Sequence, residues 1–209
     1  MAAIVCPRGG DIGKFFPPSL TAEAATIATA GDSKSNSTYD WWTGMMSDLS
    51  TDTLLTWTRP FNSSYGGGGV VQLFDGLTAS PPNSATPAKW VFLNIGVNNV
   101  TDTDIITQAL FEEKYGGILD IFHAQWPSTQ IYCMRIWKDD TLDGGHPLWA
   151  EQIENIDDVY IPNVLASRSW AHRGPDERDW LPGKTDDGIH PNAAGILEAK
   201  AQWRAMTPY

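Results

Sequence analysis

Short apolar runs that alternate with longer amphipathic stretches constrain the fold of this chain more than any other feature of its sequence. Five such runs have the length and composition typical of strands: 25–30, 53–58, 89–95, 130–137 and 163–167. The stretches between and after them predict helices at 37–49, 70–77, 104–124, 148–159 and 191–206. Alternating strands and helices are typical of a parallel sheet covered on both faces. We therefore expect a three-layer α/β/α fold around a mostly parallel five-stranded sheet.

The length and charge of the chain limit its domain count and its partners. A chain of 209 residues fits one domain of ordinary size, which buries a substantial core without help from disulfides. The 25 acidic residues exceed the 14 basic ones, so the formal net charge is −11. Such a surface repels phosphate backbones and anionic lipid headgroups, which argues against nucleic acid or a charged membrane as the partner. No run is long enough to predict a membrane span.

The first 24 residues precede the first predicted strand and contain several prolines and glycines. We interpret them as an N-terminal extension of a single domain that comprises residues 25–209, and the trimmed edge of a larger protein is the alternative. Their apolar run is too short for a secretory signal and has no basic region before it. The sequence predicts neither a compartment nor an oligomeric state.

The positions of the cysteines and histidines bear on disulfides and metals. Cys133 lies in a predicted strand, so we expect it to be a buried free thiol, and a disulfide with Cys6 is the alternative. His123, His146 and His172 lack metal-ligand spacing. We therefore expect no metal.

Polar motifs follow the predicted strands at the positions where α/β proteins bind their ligands. Ser33 ends a Gly-Asp-Ser motif directly after the first strand, and Asn98 ends a Gly-Val-Asn motif after the third. The carboxyl ends of parallel strands meet at one edge of the sheet, so we expect both side chains there. Asp187 and His190 share one loop before the last helix. A serine hydroxyl becomes an effective nucleophile when a base takes its proton and a third group orients that base.

These three motifs, in this order, resemble those of the GDSL, or SGNH, hydrolase family over about residues 25–205. The resemblance implies a flavodoxin-like α/β/α fold in which Ser33 is the nucleophile. It implies that His190 is the general base and then the acid, and that Asp187 orients the imidazole ring. Asp186 is a close alternative, but the family spacing of two residues between Asp and His selects Asp187.

The resemblance also implies three hydrogen-bond donors for the oxyanion of an acyl-transfer reaction. They are the backbone N–H of Ser33, the side-chain amide of Asn98, and the N–H of a glycine after the second strand. Counting forward from Asn62 selects Gly67 for this glycine, with Gly66 as the next choice.

Three positions depart from the family pattern. Lys34 stands where the family often has an apolar residue, Ser64 where it has a glycine, and Asn99 where it has an aspartate. The changes at Lys34 and Asn99 remove no catalytic atom from the expected site.

The resemblance implies a cofactor-independent serine esterase that forms an acyl-serine intermediate on a small-molecule or glycan ester. The ten tryptophans and the polar loops favour a short acyl group, such as acetyl, on a carbohydrate. Four tryptophans are predicted near the binding edge, where they would stack on sugar rings or simply pack: Trp137, Trp149, Trp170 and Trp180. Three others are predicted to lie in the core: Trp41, Trp42 and Trp203.

Three alternative functions fit parts of the pattern. A lipolytic esterase or thioesterase of the same family would use the same serine chemistry on another substrate. A non-catalytic glycan-binding module would keep the fold, although the presence of all the catalytic residue types argues against it. A flavodoxin-like phosphate or nucleotide binder would use the run Gly66–Gly69, but the acidic balance and the lack of a Gly-x-x-x-x-Gly-Lys loop argue against that function.

Overall fold

The computed structural model describes residues 26–35, 39, 41–53, 55–99, 106–136, 147–176, 183–185, 187 and 189–206. The strands are β1 (Thr26–Gly31), β2 (Thr58–Ser64), β3 (Trp90–Asn94), β4 (Gln130–Arg135) and β5 (Ala171–Asp176). The helices are α1 (Trp41–Thr53), α2 (Val70–Ala79), α3 (Gln108–Gln125), α4 (Pro147–Asn155), α5 (Ile161–Leu165) and α6 (Ala193–Met206). A π-helical segment, Ile156–Tyr160, joins α4 to α5, and short 3₁₀ turns follow β1 and β3.

All five strands are parallel and lie in the order β2-β1-β3-β4-β5. Side chains of the central strands alternate between two cores, as the period of a strand requires. Val91 and Leu93 of β3 join one core with α2 and α3, whereas Trp90 and Phe92 join the other with α1 and α6. The predicted three-layer α/β/α architecture is confirmed.

The second predicted strand, 53–58, is wrong, because it shares only its last residue with β2. Thr53 is the last residue of α1, and β2 begins at Thr58 and continues to Ser64. β2 is an edge strand, where Pro60 is tolerated because a missing ladder hydrogen bond can face solvent. Its residues alternate between exposed and half-buried positions, so the segment lacks the apolar signal of a central strand.

The fifth predicted strand, 163–167, is also wrong. Those residues lie in α5 and in the turn after it, and the fifth strand is Ala171–Asp176. Ile161 and Val164 point into the core at the spacing of one helical turn, which a short apolar run does not distinguish from a strand. The true strand, β5, is the other edge of the sheet and has polar residues at its centre.

The tryptophan predictions have mixed outcomes. Trp41 and Trp203 are buried and stack with ring centroids 5.5 Å apart, so their predicted core positions are confirmed. Trp42 is half-buried beneath the Arg59 guanidinium. Trp170 precedes β5 and stacks on a histidine of α3, so its predicted place at the carboxyl edge is wrong. Two of the other predicted edge tryptophans, and the side chain of the third, lie outside the described residues: Trp137, Trp180 and Trp149.

Cys133 is a buried free thiol, as expected, while Cys6 and the rest of the predicted extension 1–24 lie outside the described residues. Among the helices that the structure describes, none combines the length and hydropathy needed to cross a membrane.

Candidate active site

The end of β1 presents Ser33 at the carboxyl edge of the sheet. Gly31, the last residue of β1, has φ +153°, and a Cβ there would overlap the carbonyl oxygen of Asn94 on β3. The Asp32 N–H donates to that same carbonyl at 3.0 Å. The chain then turns through the 3₁₀ segment Ser33–Ser35, which leaves Ser33 half-buried while both of its neighbours are buried. The close approach of β1 to β3 therefore requires glycine and fixes where the serine emerges.

Two buried ionisable residues flank Ser33. The Asp32 carboxylate accepts the Lys34 backbone N–H at 3.0 Å, which closes the turn. Burial raises the pKa of Asp32, and the positive charge of Lys34, the Lys34 N–H and the nearby His190 oppose this rise. The Lys34 side chain is fully buried, so this lysine occupies an interior position, as the apolar residue of the family pattern would.

Ser33, His190 and Asp187 form one chain of hydrogen bonds. The distance from Ser33 Oγ to His190 Nε2 is 2.7 Å, and that from His190 Nδ1 to Asp187 Oδ2 is 2.6 Å. An ionised carboxylate can only accept, so Nδ1 carries the proton of the neutral imidazole and Nε2 is left to accept from the serine. This is the tautomer in which the imidazole can remove the serine proton.

The loop before α6 holds Asp187 against the imidazole. Oδ1 of Asp187 accepts the backbone N–H groups of Ile189 at 3.0 Å and of His190 at 2.7 Å. Partial burial would raise the pKa of Asp187, but the side-chain and backbone hydrogen bonds from His190 and Ile189 outweigh it and lower this pKa. Asp187 is therefore ionised at neutral pH. Asp186, the alternative by sequence, lies outside the described residues.

Asn98 lies beside the glycine run, in the 3₁₀ turn that follows β3. Its side-chain nitrogen donates to the Gly68 carbonyl oxygen at 3.2 Å, which uses one of its two hydrogens. The Tyr65 N–H, at the start of the same loop, donates to the Gly31 carbonyl at the end of β1. Because β2, β1 and β3 are adjacent, the segments after all three strands meet at one edge.

The four glycines of the run differ in whether their backbone N–H groups have an acceptor within the protein. The Gly68 N–H donates to a carbonyl within the loop, and the Gly69 N–H donates to the side chain of Gln72. Within the described part of the chain, the N–H groups of Gly66 and Gly67 have no acceptor, and Gly67 adopts a left-handed φ of +70°. These two are the residues that counting from Asn62 selected, and their donors are available to a ligand.

Sequence reasoning missed the roles of two residues at this edge. The Tyr39 ring stacks on the His190 ring, with centroids 5.1 Å apart and planes inclined by 11°. The Asn99 side chain is buried and accepts the Val70 N–H at 3.0 Å, so it satisfies a free donor at the start of α2. No motif marks Tyr39, but Asn99 directly after Asn98 and the helix signal at residue 70 could have predicted a capping role.

Comparison with known proteins gives one family match and a set of similar folds. Residues 28–196 match the GDSL-like lipase/acylhydrolase family. No curated protein matches the sequence.

Three similar solved structures illustrate the shared fold. The acetyl xylan esterase AlAXEase superposes with a TM-score of 0.69 and 16% identity, over 87% of this chain and 100% of that chain. TesA gives a TM-score of 0.65 and 16% identity, over 88% and 98% of the two chains. A carbohydrate esterase family 3 protein from Talaromyces cellulolyticus gives 0.62 and 16%, over 85% and 93%. At these identities the superpositions show a common fold.

Proposed function

The chain belongs to the GDSL-like lipase/acylhydrolase family and is an ester hydrolase of that type, and we propose that it is a serine esterase in which Ser33 forms the acyl intermediate. The observation that carries this proposal is the hydrogen-bond chain from Ser33 Oγ through His190 to Asp187. Nucleophile, base and orienting carboxylate then stand in the order that acyl transfer needs.

In the proposed acylation step, Ser33 Oγ attacks the ester carbonyl carbon while His190 Nε2 takes the hydroxyl proton. The imidazolium that forms is stabilised by the ionised Asp187 at Nδ1. When the tetrahedral intermediate collapses, the C–O bond to the leaving group breaks and His190 returns the proton to the alkoxide. Water attacks the acyl-serine in the same way, which releases the carboxylic acid and restores the serine.

The proposed oxyanion donors come from the ends of three adjacent strands. They are the Ser33 N–H, the Asn98 side-chain amide, and the N–H of Gly67 or, as the alternative, Gly66. The bond from Asn98 to Gly68 supports this grouping because it ties the asparagine to the glycine run, and the second amide hydrogen has no acceptor among the described residues. Donors fixed before the reaction stabilise the charge that develops on the carbonyl oxygen without having to reorganise.

We propose that the substrates are short-chain esters, with acetyl groups on carbohydrates as the natural class. Two of the similar folds are described as an acetyl xylan esterase and a carbohydrate esterase, which supports this substrate class. The acidic net charge of −11 is also better suited to a neutral glycan ester than to an anionic one.

The test compares hydrolysis of p-nitrophenyl acetate, butyrate and octanoate, and acetate release from acetylated xylan, by wild type and Ser33→Ala. We expect acetate esters to be the best substrates and Ser33→Ala to lose at least about 10³-fold in kcat. A fluorophosphonate probe should label wild type at Ser33, identified by mass spectrometry, and leave the variant unlabelled. Full activity of Ser33→Ala would contradict the mechanism, whereas a preference for octanoate would favour a lipolytic enzyme of the same family.

Asp187→Asn and Asp186→Asn form a matched pair for the third member of the site. We expect Asp187→Asn to lower kcat by about 10³–10⁴-fold, because the amide favours the wrong imidazole tautomer. Asp186→Asn should remain within about threefold of wild type. The reverse result would assign the orienting role to Asp186.

A further inference from the structure

We propose that Tyr39 is a positioning residue for the reaction, whose ring holds the His190 imidazole in its reactive plane and favours its protonated form during acyl transfer. This inference rests on the serine esterase mechanism proposed above. It assigns a function to a side chain outside the three sequence motifs.

The geometry of His190 leaves one motion that its hydrogen bonds control only weakly. Ser33 binds Nε2 and Asp187 binds Nδ1, and both bonds lie at the edge of the ring. Two edge contacts resist sliding within the ring plane, but they resist tilting about the line between the two nitrogens much less. The Tyr39 ring lies against the face of the imidazole, nearly parallel to it, and therefore opposes that tilt. Since His190 keeps 28% of its side-chain exposure, core packing does not fully enclose it.

The segment that carries Tyr39 is anchored to the turn that carries Ser33. The Trp41 N–H donates to the Tyr39 carbonyl at 2.7 Å, and the Trp41 indole N–H donates to the Lys34 carbonyl at 3.1 Å. Trp41 is buried at the start of α1, so it is a fixed point for both. The hydrogen bonds of Trp41 therefore link Tyr39 to the turn that carries Ser33, and both residues contact His190.

The stack also has an electrostatic consequence that depends on the step of the reaction. His190 is neutral before attack and positively charged once it has taken the serine proton. A cation within about 6 Å of an aromatic centroid is attracted to the ring face, and the two centroids here are 5.1 Å apart. The contact is therefore stronger in the transition state than in the ground state, which is the condition for it to raise kcat.

Within the described ranges, three groups with charges or ionisable protons act on the imidazole besides the Ser33 hydroxyl. Asp187 binds Nδ1 directly, and the buried Asp32, itself beside Lys34, interacts electrostatically with His190. The third is the phenol of Tyr39 itself. Both carboxylates favour the imidazolium whatever residue occupies position 39, so a change at 39 alone reports the contribution of the stack.

The experiment uses three full-length variants at position 39. Tyr39→Phe keeps the ring, Tyr39→Leu removes it, and pentafluorophenylalanine at 39 keeps the shape but reverses the charge distribution of the ring face. We expect Tyr39→Phe to retain most of the wild-type kcat on p-nitrophenyl acetate. The other two should lower kcat by about three- to tenfold with little change in KM. Both should also move the acidic limb of the kcat/KM profile to lower pH by about half a unit, because the protonated imidazole loses a favourable contact.

The outcomes separate this inference from the mechanism on which it rests. If Ser33→Ala keeps its activity, the esterase mechanism fails and position 39 is irrelevant. If Ser33→Ala is inactive but the Leu and pentafluorophenylalanine variants match Tyr39→Phe in kcat and acidic limb, the mechanism stands and the proposed role of Tyr39 is overturned. If Tyr39→Leu does not fold, the comparison of the two aromatic variants decides alone, since they have nearly the same shape.

Discussion

The hydroxyl oxygen of Ser33 lies 2.7 Å from Nε2 of His190, across 157 positions of the chain. Packing of the first helix against the last brings these two residues together. Trp41 of α1 stacks on Trp203 of α6, and both rings are buried. The turn with Ser33 shortly precedes α1, and the loop with His190 directly precedes α6. Burial of two aromatic side chains in the core therefore helps to align the proposed nucleophile and base at the edge of the sheet.

The neighbouring asparagines Asn98 and Asn99 should separate catalysis from stability. Asn98→Ala removes a proposed oxyanion donor, so we expect kcat on p-nitrophenyl acetate to fall by about 10²–10³-fold with little change in KM. Asn99→Ala leaves the Val70 N–H at the start of α2 without its acceptor. It should lower the free energy of unfolding in urea by about 1–2 kcal/mol while kcat changes much less. The opposite pattern would place the donor on Asn99.

The central strands were predictable from sequence and the edge strands were not, for one physical reason. β3, Trp90–Asn94, is covered by helices on both faces and reads as a continuous apolar run. β2 and β5 each have one free edge and contain Pro60 and Pro175, respectively, which a central strand would exclude. Predictions that depend on apolar runs therefore shifted β2 and placed the fifth strand in helix α5, which buries Ile161 and Val164.

The residues of the candidate site also divide into those that were predictable from sequence and those that were not. Ser33, Asn98 and His190 belong to short motifs at element ends, so their order along the chain was enough to group them. Tyr39 stacks on His190 from a distant part of the chain, and such a tertiary contact leaves no local pattern. A motif can identify the groups expected to act on the substrate. The side chains that hold those groups in place can be identified only from the packing of the folded chain.

Gly31 should tolerate no side chain. A Cβ at this position would overlap the Asn94 carbonyl oxygen, and the backbone has φ +153°. We expect Gly31→Ala to lower the free energy of unfolding by about 3 kcal/mol, because β1 or β3 must shift. Gly66→Ala is the control, since a Cβ there meets no atom within 4 Å, and it should stay within about 0.5 kcal/mol of wild type. Equal urea midpoints for the two variants would refute the steric argument.

The buried carboxylate of Asp157 should stabilise the fold far more than its exposed neighbour Asp158. Asp157 retains 3% of its side-chain exposure and binds Arg135 at 2.8 Å and Arg173 at 2.5 Å. Asp158 binds Arg135 at the same distance but is 53% exposed. Since both arginines are more than a quarter exposed, we expect Asp157→Asn to cost about 2–3 kcal/mol, below the range for fully buried pairs. Asp158→Asn should cost under about 1 kcal/mol. Urea unfolding measures both, and similar losses would argue against burial as the cause.

The Cys133 thiol should stay protonated in the folded protein far above neutral pH. Burial raises the pKa of this thiol from 9.0 to about 12. Between these values the unfolded chain loses the proton and the folded chain keeps it, so this contribution to stability is complete below pH 9 and declines as the pH rises toward 12. In a Cys6→Ser background, where Cys133 is the only thiol, the free energy of unfolding should fall more steeply above pH 9 than in Cys6→Ser/Cys133→Ala, by up to about 1.4 kcal/mol per pH unit.

The same single-thiol protein should react with Ellman's reagent at pH 8 only after unfolding in urea, because the thiolate is the nucleophile. Rapid reaction of the folded protein, or parallel pH profiles for the two variants, would show that the thiol ionises in place.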